Sequence, residues 1–79
     1  MVKTMDGRGI PFPQLVRDIK GTMAGTDEGI LTVILDDLKV ADNLRRYAYN
    51  WGYCTGELEQ KEGVYWLDIV KGYSCGLRR

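Results

Sequence analysis

The sequence contains no histidine at all. Imidazole general-base chemistry and histidine metal ligation are therefore excluded. The only two cysteines, Cys54 and Cys75, form no CxxC pair and cannot complete a tetrahedral zinc set. No metal and no cofactor are expected. Net charge is lacking too, since eleven Lys and Arg balance eleven Asp and Glu. No general field draws nucleic acid or anionic lipid to the chain. Nor is there a run of about eighteen apolar residues that would span a membrane, and Met1 to Met5 is too short and polar for a signal peptide. These absences imply a cytoplasmic protein whose two thiols are free rather than bridged.

At 79 residues, the chain fills one modest core, so a single domain over residues 1–72 is expected, with 73–79 as a loose tail. Val2 to Met5 reads as a short strand, and Asp6-Gly7-Arg8-Gly9 has the glycines of a tight loop. Pro13 suits the first position of a helix, where its missing N–H costs nothing. Leu15, Val16, Ile19 and Met23 then recur at helical spacing up to the stop at Gly25. Ile30 to Leu35 is an apolar, β-branched run and reads as a central strand. Asp36-Asp37 offers a cap to a second helix, with Val40, Leu44, Tyr47, Ala48 and Trp51 as its buried stripe and Gly52 as its end. Two further strands, Tyr53 to Gln60 and Val64 to Lys71, flank Lys61-Glu62-Gly63, a hairpin signal.

The order β-α-β-α-β-β predicts an α/β two-layer sandwich, a mixed four-stranded sheet with both helices on one face. The opposite face of the sheet is then uncovered. In the last strand, Tyr65, Leu67 and Ile69 are assigned to the core, along with Leu31, Val33 and Leu35 of the central strand. Trp66, Val64 and Val70 fall on the open side, where an exposed tryptophan among aliphatics predicts a homodimer or partner interface.

The segment Asp6-Gly7-Arg8-Gly9-Ile10-Pro11-Phe12-Pro13 resembles the signature of the TusA/SirA sulfur-carrier family, an Asp-x-Arg-Gly loop followed after two residues by Cys-Pro-x-Pro. Asp6, Arg8, Gly9 and Pro13 match it, and the likeness continues in character over about residues 2 to 71. Two positions depart from it. Phe12 stands where the resemblance implies the persulfide-bearing cysteine, and Leu15 stands where it implies the second proline. A helix N-terminus lowers a thiol's pKa through its free N–H groups and positive dipole end. A phenyl ring has no sulfur to activate, so the family's transfer reaction cannot run through position 12.

For each candidate residue a functional reading stands beside a plain packing one. Pro11 and Phe12 form either an apolar docking knob for a partner or, with Phe12 turned inward against Val16, a hydrophobic staple. Arg8 either binds an anion or holds the turn through Asp6. Gly7 and Gly9 read as conformational. Arg45 and Arg46, with Lys39 and Asn43 near them and Asp42 damping their field, read as a solvated helix face rather than a phosphate contact. Asp36-Asp37 reads as a helix cap and not as an acid/base dyad. Cys54, alternating with Gly56 and Leu58, is expected to face the helices as a small apolar residue. Cys75, near Arg78 and Arg79, is expected to be exposed. The resemblance and the departure at Phe12 together imply a non-catalytic binding or regulatory member working with a protein partner of a sulfur-relay pathway. The alternatives are a sulfur carrier using Cys75 or Cys54 and, more weakly, a tRNA-binding accessory.

Overall fold

The computed structural model of the chain describes residues 1–72. The expected tail, with Cys75, lies outside the described residues. The elements run β1 (Val2–Asp6), α1 (Phe12–Ala24), β2 (Gly29–Leu35), α2 (Leu38–Asn50), β3 (Cys54–Thr55), β4 (Glu59–Lys61) and β5 (Val64–Lys71). The sheet order is β1-β2-β5-β3, with β4 also paired to β5. β1 is parallel to β2, whereas β5 is antiparallel to β2, β3 and β4. This is the α/β sandwich read from the sequence, with five strands rather than four.

The additional strand comes from a break in the expected run Tyr53 to Gln60. Thr55 pairs with Ile69 and Glu59 with Trp66. The β5 side is thus one residue shorter than the side facing it, which leaves one residue over, as in a β-bulge. The Gly56 N–H donates to the Asp68 carbonyl (3.0 Å) at this irregularity. β3 and β4 therefore follow one another along a single edge of β5. The hairpin joining β4 to β5 turns through Glu62 and Gly63, both with positive φ (56° and 78°), as a two-residue type I′ connection requires.

β2 alternates between buried and half-buried along its whole length, because one of its faces lies under the helices and the other does not. Leu31, Val33 and Leu35 point to the helix side with Leu67 and Ile69 of β5, and Leu15, Ile19 and Met23 of α1 and Ala41, Leu44 and Ala48 of α2 close over them. Tyr65 packs at the margin of this core. On α2 the buried stripe is rotated from the expected one. Ala41 replaces Val40 at the centre, Val40 and Trp51 are half-buried, and Tyr47 is 44% exposed. Small alanines let the helix approach the sheet closely and displace the bulky rings to its flank.

Local chemistry fixes the helix ends. Asp37 caps α2, its Oδ1 accepting from the Lys39 N–H at 2.8 Å. Helix α1 starts one residue earlier than expected, so Phe12 is its first residue and Pro13 its second, both within the first turn, where proline's missing N–H goes unnoticed. At its other end the Lys71 ammonium, reaching over from β5, donates to the Met23 carbonyl (3.0 Å) and neutralises the negative end of the helix. Leu67 is completely buried at the centre of the core. Its replacement by alanine should cost about 2–5 kcal/mol, read as a lowered midpoint in urea unfolding.

Candidate functional site

The Asp6 to Pro13 segment connects β1 to α1 across the end of the sheet. Gly7 is buried, and its N–H donates to the Ile34 carbonyl (2.8 Å), continuing the β1–β2 ladder into the loop. A Cβ here would lie 3.0–3.2 Å from Leu15 Cδ1, Leu35 Cδ2 and Val33 Cγ1. The requirement at Gly7 is thus for space against the core and not for backbone freedom, a correction to its conformational reading. Gly9 has φ 77° and does need that freedom, since it turns the chain where the Ile10 N–H donates back to the Gly7 carbonyl.

Arg8 and Asp6 form a bidentate pair in which Nε donates to Oδ1 (2.9 Å) and Nη2 to Oδ2 (2.8 Å). The Arg8 backbone N–H also donates to Oδ1 (3.1 Å). These hydrogen bonds, side chain first and backbone second, lower the Asp6 carboxyl to about 2. They raise the Arg8 guanidinium correspondingly. The loop therefore clips itself, as the packing reading of Arg8 has it, and one edge of the guanidinium is committed to Asp6.

Pro11 leads into α1 with extended backbone, and no side chain caps the helix. Phe12 is half-buried and packs against the margin of the core. Its ring meets Tyr47 of α2 edge-on, with centroids 5.2 Å apart at 76°. Tyr47 meets Trp51 in the same manner (6.0 Å) and Trp51 meets Tyr53 (5.9 Å). The Lys20 ammonium lies over Trp51 and that of Lys71 over Tyr53. An aromatic ladder thus runs from the start of α1 along the flank of α2, and each contact contributes about 0.5–1.5 kcal/mol beyond burial. Sequence patterning missed the ladder because it took Tyr47 and Trp51 as core residues of one helix.

On the other side of the sheet, pairing aligns Asp6 with Ile34, Ile34 with Trp66, and Trp66 with Glu59. Trp66 is consequently on the open face at the same end of the sheet as the loop, with Val64 and Val70 on the same side of β5. All three are half-buried. The Lys61 ammonium sits 5.2 Å from the Trp66 ring centroid, and the indole N–H is enclosed without a hydrogen-bond partner. Next to it Thr32 donates to Asp68 Oδ1 (2.7 Å), and Thr4, Thr32, Glu57, Glu59, Trp66 and Asp68 line an open depression of about 490 Å³. The face is therefore more polar and more acidic than the aliphatic patch expected around Trp66.

Cys54 corrects two expectations. Its register partner is Val70, so it faces the open side, because the irregularity at Gly56 puts it out of phase with Leu58. It is also disulfide-bonded and not a free thiol; half-exposed on an edge strand, its sulfur is accessible for such a bond. The expectation for Cys75 lies outside the described residues. Asp36 is exposed and Asp37 is the helix cap, and among the described residues no cluster of His, Cys, Asp and Glu is placed to hold a metal ion. None of their helices is long and apolar enough to cross a membrane.

No family model matches the sequence, and no curated protein matches it. Among solved structures, the chain is similar to a SirA-like protein from Desulfitobacterium hafniense, at 34% identity and with a TM-score of 0.76. The similarity covers 91% of this chain and 99% of that one.

The pairing of Asp6 with Arg8 has a consequence in acid. A carboxyl lowered from 3.8 to about 2 on folding contributes stability that is present above the unfolded pKa and is lost as pH falls through about 2. In Arg8→Ala the Asp6 carboxyl, followed by its carbon chemical shift through an NMR titration, should return toward the ordinary carboxylate range, and unfolding stability should lose its dependence on this group between pH 4 and 2.

Proposed function

The chain belongs to the TusA/SirA-like family, and on that premise we propose that it is a non-catalytic binding or regulatory member acting on a protein partner in sulfur-related metabolism. One observation carries this reading. At the N-terminus of α1, where the family resemblance implies a persulfide-bearing cysteine, stands Phe12, its ring braced against Tyr47. A ring fixed by a neighbour loses little conformational entropy on contact, which suits a docking point. Aromatic anchors of this kind dominate binding energy where a partner seals them from water. Pro11, exposed beside it, adds a rigid apolar edge.

The rest of the scaffold is retained in this reading: the clipped Asp6–Arg8 loop, Gly9 and Pro13 hold position 12 at the helix start. The open face around Trp66, Val64 and Val70 is the second contact surface, toward a partner or a second copy of the chain. It meets the Phe12 end of the molecule across the loop, since Asp6 and Trp66 share a row of the sheet.

Sulfur transfer to the protein tests the reading directly. Incubated with a cysteine desulfurase and labelled cysteine, the wild-type protein should take up no sulfur, whereas Phe12→Cys should. Label on Cys75 or Cys54 of the reduced wild-type chain, located by mass spectrometry, would overturn the reading in favour of a displaced sulfur carrier. Crosslinking in the native host should recover a partner whose capture falls at least about tenfold in Phe12→Ala.

The open face is tested separately. Trp66→Ser should leave helix content by circular dichroism unchanged and lower either partner capture or the sedimentation coefficient at high concentration. If neither moves while the fold survives, Trp66 is not at an interface.

A further inference from the structure

The solvent side of α2 carries a second concavity, of about 470 Å³, lined by Arg45, Arg46, Tyr49, Asn50 and Thr55. Arg45 and Tyr49 are four residues apart, as are Arg46 and Asn50, so they stack as two adjacent pairs on one side of the helix. The buried stripe of Ala41, Leu44 and Ala48 occupies the other side. Thr55 closes the wall from β3. It pairs with the core residue Ile69, and its side chain therefore turns toward the helix layer.

What these residues lack is as telling as what they are. Arg8 is clipped to Asp6, and the ammonium groups of Lys20, Lys61 and Lys71 each lie over an aromatic ring. Among the described residues, Arg45 and Arg46 have no carboxylate and no ring partner, although Asp42 lies one turn before them. Both arginines line the same concavity with open donor edges, and a guanidinium fork fits phosphate oxygens in bidentate fashion. Tyr49 is 79% exposed, an apolar ring held out beside the two charges. A ring with a free face next to paired arginines suits a ligand with a planar base as well as a phosphate. Asn50 offers both a donor and an acceptor and Thr55 a hydroxyl, the groups that read a base edge or a ribose.

We propose that this concavity binds a nucleoside 5′-phosphate, as a free nucleotide or as one unit of a single strand. The guanidiniums of Arg45 and Arg46 take the phosphate, Tyr49 stacks on the base, and Asn50 and Thr55 hydrogen-bond the nucleoside. The volume falls within the range of roughly 300–1,000 Å³ usual for small-molecule sites. Attraction is local in a chain without net charge, so binding weakens with salt. The site uses neither Phe12 nor Trp66, and its failure would leave the reading of those residues untouched.

The test is an NMR titration of the isotopically labelled full chain with uridine 5′-monophosphate, uridine, inorganic phosphate and a short oligouridine. The nucleotide should shift the amide signals of Arg45, Arg46, Tyr49, Asn50 and Thr55, and should bind at least tenfold more tightly than uridine or phosphate. Arg45→Ala/Arg46→Ala should weaken it at least tenfold. Tyr49→Leu should reduce it to the level of inorganic phosphate, with both variants showing the wild-type circular dichroism of an unaltered fold. Stronger binding of the oligouridine assigns the site to a strand, and equal binding assigns it to the free nucleotide. No shift at these residues, shifts that persist in the double-arginine variant, or equal shifts with a glutamate-rich hexapeptide would overturn the proposal.

Discussion

Eleven apolar side chains, drawn from one face of β2 and β5 and from the inner stripes of the two helices, make up the water-free interior, and no polar or charged residue is buried among the described residues. Everything else in the molecule is arranged around that constraint. A core with no buried ionisable group has no place for a desolvated nucleophile or base, so large burial-driven pKa shifts of the kind that activate interior catalytic groups are absent from the described residues. Any chemistry must be done at the surface, at element ends and on the uncovered face of the sheet. The resolved shifts, on Asp6 and Arg8, fit this: their main causes are hydrogen bonds within an exposed loop.

The same core governs the loop that carries position 12. A Cβ at Gly7 would lie within 3.2 Å of Leu15, Val33 and Leu35, so the loop is pressed onto the core at one point and clipped by Asp6 and Arg8 at the next. The start of α1 is thereby fixed relative to the sheet before any residue at position 12 contributes. That rigidity suits a reactive thiol and an aromatic anchor equally well, because both depend on being held in one place.

Most of the fold was legible because its signals are local and periodic. The alternation of Ile30 to Leu35, the 3.6-residue spacing of Leu15, Ile19 and Met23, and the Glu62-Gly63 turn each identify an element without knowledge of the others. The face of Trp66 followed from the same alternation, since Leu67 and Ile69 had to be inside. What was not legible depended on a single irregular residue or on a contact between elements. The extra residue near Gly56 changes the phase of its strand, so Cys54 moves to the open face and becomes available to a disulfide, an outcome that uniform alternation cannot register. The aromatic ladder needs α1 and α2 to be placed side by side before Phe12 and Tyr47 can meet. The groove at Arg45 and Arg46 likewise needs Thr55, ten and nine residues further along, to be brought against the helix.

The departure at position 12 thus has a limited physical scope. A phenyl ring at position 12 offers no sulfur, while the helix terminus, the clipped loop and the turn at Gly9 stand around it. The positive end of α1 carries no acidic side chain in its first turn and no side-chain cap, so its field is directed outward from the end of the helix beside Phe12.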